Sequence, residues 1–507
     1  MTRRMTATLH SRPAATRAFR TILLLIVFGV GLAIRFYDLT DLPLDFHPTR
    51  QLLSQLKARG MYYKDHAGLP DWQRRMAIQQ WQTKTEVEPE VFERLVALTY
   101  RATGVETWVG RVYAAFFWVI AAAFVFLLVR DQVSEVAGLL SAAYFLFLPY
   151  AVVASRSFQP DSLMLMLVTM FWWMYNRWVR SEKWFWAVMA GTVGGLAIYI
   201  KFVAAFFVIG AALGLGLATF GPRLLHKRQV WIMAILGVLP ASVYLYDGII
   251  QQGFLGRQFS GRFLPALLLS PLNYLHWVEL ASLTAGALAI AAGLLGLLAA
   301  RQRGLRWMLI SLWGAYVAYG LFFDYHVATH DYYHLPLIAI AAVSMAPLTH
   351  LVAQQLAARA SGPLSQWALV TILLCIPFSG AWMARSQLAA VDYRPQASMW
   401  MEIGERLEHG PNVVALTEDY GSRLAYWGWQ NAIIWPSTGD AEYRQARGGV
   451  IDFEEQFTKL TRGNTYFLVT DFAELARQAQ LGRRLSRLPV FTQGDGYVIY
   501  DLEGPQD

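Results

Sequence analysis

Four short stretches hold the side chains that could do chemistry. In Asp41-Leu-Pro-Leu-Asp-Phe-His-Pro-Thr-Arg-Gln51 a carboxylate, an imidazole and a guanidinium (Asp45, His47 and Arg50) stand close together. Pro43 and Pro48 stiffen the chain there and keep Asp45 to His47 out of regular helix. Ser155-Arg-Ser-Phe-Gln-Pro-Asp161 places a carboxylate directly after a proline, at a helix start. Lys201 interrupts the apolar run from Gly194 to Phe207. Asp324-Tyr-His-Val-Ala-Thr-His-Asp-Tyr-Tyr-His334 is the densest polar cluster and contains His330, Asp331 and Tyr332. Carboxylates and imidazoles in such settings accept protons, and a lysine or arginine beside them stabilises an anion.

Each stretch also has a plainer reading. The first could be a solvated loop, and Asp161 could simply cap its helix. A carboxylate at a helix N-terminus nevertheless stays ionised and fixed, which suits cation binding or proton acceptance. Lys201 could be a snorkelling helix-end lysine, or an ammonium kept for an anion at the membrane surface, for which a lipid phosphate is the natural candidate. Arg257 and Arg262, in a nearby loop, are further cations of the same kind. His326, His330 and His334 recur every four residues, which on a helix would align them and suggest a metal. The residues between them read as a loop, which favours hydrogen bonding and aromatic packing at a pocket mouth. No metal ligand set is assigned. No cofactor is assigned, and a divalent cation stays open as one.

The elements that must position these groups are membrane helices. The chain is 56% hydrophobic and 15% charged, against roughly 25% charged in soluble domains. Apolar runs of spanning length recur near 21–37, 108–129, 135–154, 161–178, 184–200, 202–220, 230–247, 278–299, 307–323, 334–352 and 367–384, about eleven in all. The net charge of +8 does not point to nucleic acid. Basic residues concentrate in alternate short connections, at Arg130, Arg177 to Lys183, Arg223 to Arg228, Arg301 to Arg306 and Arg359. That places the N-terminus in the cytoplasm and the four polar stretches outside. The first span reads as a retained helix, in a cell inner or plasma membrane. The single cysteine, Cys375, reads as a buried small hydrophobe.

The expected organisation is mainly α. A basic cytoplasmic segment (1–20) leads into a polytopic bundle (21–390) whose long first exterior loop (38–107) bears interfacial helices. These fall at Pro48–Arg59, between Trp72 and Trp81, and at Pro89–Tyr100. The texture changes after residue 391. Asn412–Thr417 and Tyr466–Thr470 read as strands, Ser422–Trp429 and Phe472–Ala479 as helices, and Tyr497–Leu502 as an edge strand. A small exterior α/β domain (391–507) is implied.

Together these residues resemble the GT-C class of integral-membrane glycosyltransferases, and are similar to the protein O-mannosyltransferases and the lipid A aminoarabinose transferases. Phe158-Gln-Pro-Asp-Ser-Leu-Met164 looks like the family's second acidic turn. Gly195-Leu-Ala-Ile-Tyr-Ile-Lys201 resembles its lysine segment, and His330-Asp-Tyr-Tyr-His-Leu-Pro336 its late aromatic–proline helix start. The resemblance implies a hexosyl or pentosyl transferase. It would move sugar from a polyprenyl-phosphate donor to a hydroxyl of a glycolipid, glycan or protein, among membrane lipids on the exterior face. Asp45, with His47 in reserve, would be the base; Asp161 would orient the acceptor or the base; Lys201 with Arg257 or Arg262 would hold the donor phosphate; and Arg50, His330, Asp331 and Tyr332 would line the pocket. Single displacement would invert the anomeric centre. The family's Asp-Glu pair, counted back from Ala58-Arg-Gly-Met61, falls near Thr49-Arg50, where this chain has neither acid. The rival class is a lipid or anionic-solute transporter, which predicts charged or broken helices near the midplane and a repeat between halves.

Overall fold

The computed structural model describes residues 14–66, 68–84, 88–259, 263–359, 363–410, 412–450 and 452–504. Every apolar run expected to span is helical: α1 (Ala14–Arg35) is followed, after the first loop, by α5 (Trp108–Gln132), α6 (Glu135–Phe147), α7 (Pro149–Ala154), α8 (Asp161–Ser181), α9 (Trp184–Ile200), α10 (Ala204–Phe220) and α11 (Arg228–Leu245). After the short α12 (Phe254–Phe259) come α13 (Pro271–Ala285), α14 (Ala287–Ala299), α15 (Arg303–Phe322), the short α16 (Asp324–Thr329), α17 (Leu335–Ser344), α18 (Ala346–Arg359) and α19 (Pro363–Leu388). Among the described residues six helices are long and apolar enough to cross a bilayer, or seven if a bent pair counts as one span.

The run expected as one span at 278–299 is that bent pair. α13 and α14 meet at 93°, because Gly286 takes φ 83°, which carries the chain out of the helix at little steric cost. The run at 135–154 is likewise divided, where Pro149 removes a backbone donor and opens α7. Cys375, expected to be buried, is exposed on α19.

The first loop departs most from expectation. Its helices α2 (Pro48–Asp65), α3 (Asp71–Thr83) and α4 (Val91–Thr103) do form, but α2 does not lie open on an interface. Most of its residues from Gln51 to Met61 are buried, Lys57 and Arg59 included. The Arg59 guanidinium donates to the carbonyls of Tyr426 (2.6 Å) and Ala425 (3.0 Å) and to Gln80 Oε1 (2.7 Å), and stacks 3.9 Å from the Trp429 ring. Gly60 permits the close approach of α3, since a Cβ there would stand 2.4 Å from Trp81 Cβ. Leu44, Leu52 and Leu56 share a core with Trp400, Ile403 and Leu424, so the loop and the C-terminal region pack as one layer over the bundle.

That C-terminal region carries a five-stranded sheet in the order β2-β1-β3-β5-β4. β1 (Val413–Leu416) pairs in parallel with β2 (Ile433–Ile434) and β3 (Tyr466–Val469). β5 (Tyr497–Asp501) runs antiparallel to both β3 and β4 (Val490–Gly494). Tyr497–Leu502 is therefore not the edge expected of it. β4 takes the edge, where the exposed Val490 and Phe491 gave no alternation to read.

Candidate active site

Lys201 ends α9 in an extended conformation (φ −155°, ψ 117°) before the chain restarts as α10. Its ammonium donates to both carboxylate oxygens of Asp161, at 2.8 and 3.0 Å, and both residues are buried. Asp161 is the first residue of α8; no side chain caps that helix, so its carboxylate serves the ion pair rather than the cap. Nζ of Lys201 also lies 5.4 Å over the Tyr332 ring and 5.8 Å over Tyr333. The aromatic faces favour the cation while excluding water.

Arg50, one turn into α2, donates to Glu88 Oε1 at 2.8 Å. Burial pushes the Glu88 carboxyl up, but Arg50, then Lys201 and Lys57, more than offset this and hold it below the ordinary range. Burial likewise opposes the Arg50 charge, and Glu88 foremost, with Tyr332 and Asp161 behind it, raises its pKa above the usual value. Arg50, Glu88, Asp161 and Lys201 thus form one net-neutral network with Tyr332 as a wall. Glu88 was not among the expected residues. Its signal in the sequence is Glu88-Pro-Glu90, two acids around a proline directly before an amphipathic helix.

His47 occupies the left-handed region (φ 43°, ψ 66°) just ahead of Pro48 and α2, a conformation uncommon for a non-glycine residue and found where surroundings enforce it. Its Nε2–H donates to Asp331 Oδ1 at 2.5 Å. The ring packs edge-on against Tyr332 (4.7 Å) and Phe46 (4.6 Å). Among the described residues nothing is hydrogen-bonded to its Nδ1. His330 sits beside this group, bonded through Nδ1 to Thr329 Oγ1 at 2.8 Å. Burial first, and then His47, lowers its pKa to about 4, so it stays neutral near pH 7.

Asp45 lies apart from that network, though in the same loop. Arg111 Nη2 donates to it, Arg156 Nε lies 3.6 Å away, and Gln51 Nε2 donates at 3.3 Å. Both arginines are also tied to backbone: Arg111 to the carbonyls of Leu39 (3.2 Å) and Asp41 (2.7 Å), Arg156 to those of Tyr37 (2.6 Å) and Asp38 (2.8 Å). Burial, and then Arg111, lowers the Arg156 pKa to about 10.

The three histidines do not share a helical face. The helix breaks at His330 (φ −131°, ψ 108°), and both ring nitrogens of His334 are engaged, by the Tyr316 hydroxyl (2.7 Å) and the Val327 carbonyl (2.8 Å). Among the described residues no group of three His, Cys, Asp or Glu could hold a metal ion. Arg262 lies outside the described residues. Arg257 belongs to α12, but its side chain also lies outside them.

Two cavities flank the site. An apolar groove of about 840 Å³ runs between α10 and α15, starting at Ala205 and Phe206, just past Lys201. A smaller cavity of about 370 Å³ lies between α7, α13 and α19, with Asp45 and Asp331 in its lining.

A helical membrane bundle with a long first loop folded under a small C-terminal sheet domain is the architecture of the GT-C class of integral-membrane glycosyltransferases, and this chain has that fold. Residues 87–246, which include Glu88, Asp161 and Lys201, match the family model described as dolichyl-phosphate-mannose-protein mannosyltransferase. Among solved structures the chain is similar to ArnT from Cupriavidus metallidurans bound to undecaprenyl phosphate, with 14% identity over 97% of this chain and 100% of that one and a TM-score of 0.59. It is also similar to the archaeal oligosaccharyltransferase AglB from Archaeoglobus fulgidus, in complex with an inhibitory peptide and a dolichol-phosphate. That match has 14% identity over 97% of this chain and 75% of that one, with a TM-score of 0.55. No curated protein matches the chain by sequence.

Proposed function

We propose that this protein is a membrane glycosyltransferase that moves a sugar from a polyprenyl-phosphate donor to a hydroxyl acceptor on the exterior face, with inversion. The observation that carries the reading is the Arg50–Glu88–Asp161–Lys201 network, together with an apolar groove whose lining begins at Ala205, four residues past Lys201. The groove follows α10 from Ala205 to Ala218, about 20 Å at the helical rise, enough for several isoprene units. Lys201 and Arg50 stand where the lipid phosphate would then lie.

In the reaction a lone pair of the acceptor oxygen forms the new bond to the anomeric carbon. The bond from that carbon to the phosphate oxygen breaks, its electron pair stays on the phosphate, and the phosphodiester monoanion becomes a monoester dianion. Arg50 and Lys201, fixed in advance by Glu88 and Asp161, stabilise that growing charge more in the transition state than in the ground state. The acceptor proton passes to His47 Nδ1. Asp331, through Nε2–H, positions the ring, while Asp45 anchors the loop between its two arginines.

Purified protein incubated with radiolabelled polyprenyl-phosphate sugars and a total membrane extract is expected to yield labelled product and free polyprenyl phosphate. Folded protein that transfers from no donor would instead support the transporter reading. The bend at Gly286 is a broken helix of the kind transporters use, but no ionisable side chain stands between Ala281 and Ile290.

A further inference from the structure

The smaller cavity has its own chemistry. Its walls toward the helices are apolar, with Leu148, Val153, Leu283 and Leu388, and its inner end is polar, with Asp45, Asp331 and Tyr150. No lysine or arginine lines it. Asp45 is compensated from outside the cavity by Arg111 and Arg156, and Asp331 accepts a hydrogen bond from His47. The Tyr150 hydroxyl stands at that end beside Asp331 and Thr284. At the outer side Leu283 and Val391 are 61% and 48% exposed, so the cavity opens toward the apolar surroundings of the helices.

From this we infer that the cavity is the acceptor site, and that it takes an uncharged, hydroxyl-bearing headgroup carried on an apolar anchor and admitted from the bilayer. Hydroxyls donate to the two carboxylates and accept from Tyr150, whereas a phosphate would meet two carboxylates and no cation. This separates acceptor from donor, whose phosphate belongs with Arg50 and Lys201. His47 joins the compartments: its ring touches Phe46, a wall of the cavity, on one side and Tyr332 on the other. The inference rests on the glycosyltransferase reading for its name, but the site can be tested without turnover.

The test uses the full-length protein in detergent with a diazirine-bearing decyl glucoside, the same probe with phosphate in place of glucose, and undecaprenyl phosphate as competitor. The glucoside is expected to label residues 148–153, 283 and 387–391. The phosphate probe should label them about tenfold less, a difference of about 1.4 kcal/mol, and undecaprenyl phosphate should not compete. Leu283→Trp, which fills the mouth without touching the charged network, should cut labelling about tenfold, a clash of ordinary overpacking size. In any membrane extract that supports transfer it should raise the acceptor KM with kcat and undecaprenyl phosphate binding unchanged. Equal labelling by both probes, competition by undecaprenyl phosphate, or normal transfer by Leu283→Trp would overturn the inference while leaving the transferase reading intact. Selective labelling without sugar transfer from any donor would sink the transferase reading and keep the site.

Discussion

Asp45, half-buried, and Asp161, buried, are both carboxylates held by cations, yet their surroundings differ in kind. Around Asp45 the two arginines spend their donors on the carbonyls of Tyr37, Asp38, Leu39 and Asp41 as well as on the carboxylate. That arrangement fixes the path of the chain from α1 into the first loop, and leaves the buried Nε–H groups of Arg111 and Arg156 without a hydrogen bond among the described residues. Around Asp161 the cation reaches no backbone carbonyl. Lys201 bonds only the carboxylate, under two tyrosine rings, and Arg50 bonds only Glu88 among the described residues. Donors that are pre-aimed but not consumed by backbone are what an incoming phosphate needs. A buried ion pair is by itself weak support for stability, so the second arrangement is better explained by catalysis and the first by architecture.

Substitution at the cationic network should have the largest effect. Lys201→Ala is expected to lower kcat by about 10²–10³, the cost of losing one preorganised transition-state donor, and to destabilise the protein by about 3–5 kcal/mol because Asp161 is left buried and unpaired. The double variant Asp161→Asn, Lys201→Met separates the two losses. Thermal unfolding in detergent should recover most of the stability while transfer stays lost. Recovery of transfer together with stability would make Asp161–Lys201 as architectural as Asp45.

Next comes the proton acceptor. His47→Ala should lower kcat by about 10²–10⁴ without raising the KM for donor. Asp331→Asn should cost less, because it removes the group that positions the ring rather than the base. An acid limb of the pH–rate profile left unchanged by His47→Ala would return the base to Asp45.

Asp45→Asn sharpens the comparison from the other side. It leaves Arg111 and Arg156 facing a neutral amide in a buried setting, so the expected loss is in stability, about 2–4 kcal/mol, with the acceptor KM raised and kcat per folded molecule changed less than about tenfold. A fall in kcat beyond about 10² at unchanged melting temperature would reverse the assignment of roles.

Much of this arrangement could be read from the residue order, for physical reasons. Spanning helices announce themselves because the bilayer requires runs of apolar residues, and a lysine inside one, as at Lys201, is costly enough to be conspicuous. Asp161 was legible as a helix start, but its partner was not, since Asp161 and Lys201 meet only through the packing of α8 against α9. Glu88 stayed hidden because acids near a helix start are ordinary in a polar loop. The separate fates of Asp45 and His47, two residues apart, depend on a left-handed turn at His47 that no sequence rule demands. The burial of α2 could not be seen either. Its polar residues look solvated until folding supplies their partners: Phe46 and Phe158 for Gln51, Thr107 and Tyr100 for Gln55, Glu90 for Lys57, and, for Arg59, C-terminal carbonyls 366 and 367 positions away in the chain.

The smallest expected effect concerns acid stability at the rim of the phosphate side. His330 titrates near 4 in the folded protein, below its usual 6.5, because burial and His47 disfavour its charge. A depressed value means that folding favours the neutral ring. The associated stability is therefore complete above about pH 6.5, and is lost as the pH falls toward 4, by at most about 3 kcal/mol. Glu88 also carries a depressed value, but its contribution is lost only below its ordinary 4.5, so between pH 6.5 and 4.5 the loss comes from buried histidines, of which His330 is one. His330→Gln, which keeps a polar partner for Thr329, should flatten the fall of melting temperature across that interval and leave kcat at pH 7 within about twofold, as expected of a residue that is neutral there. A kcat loss at pH 7 as large as that of His47→Ala would instead move His330 from the rim of the site to the proton path.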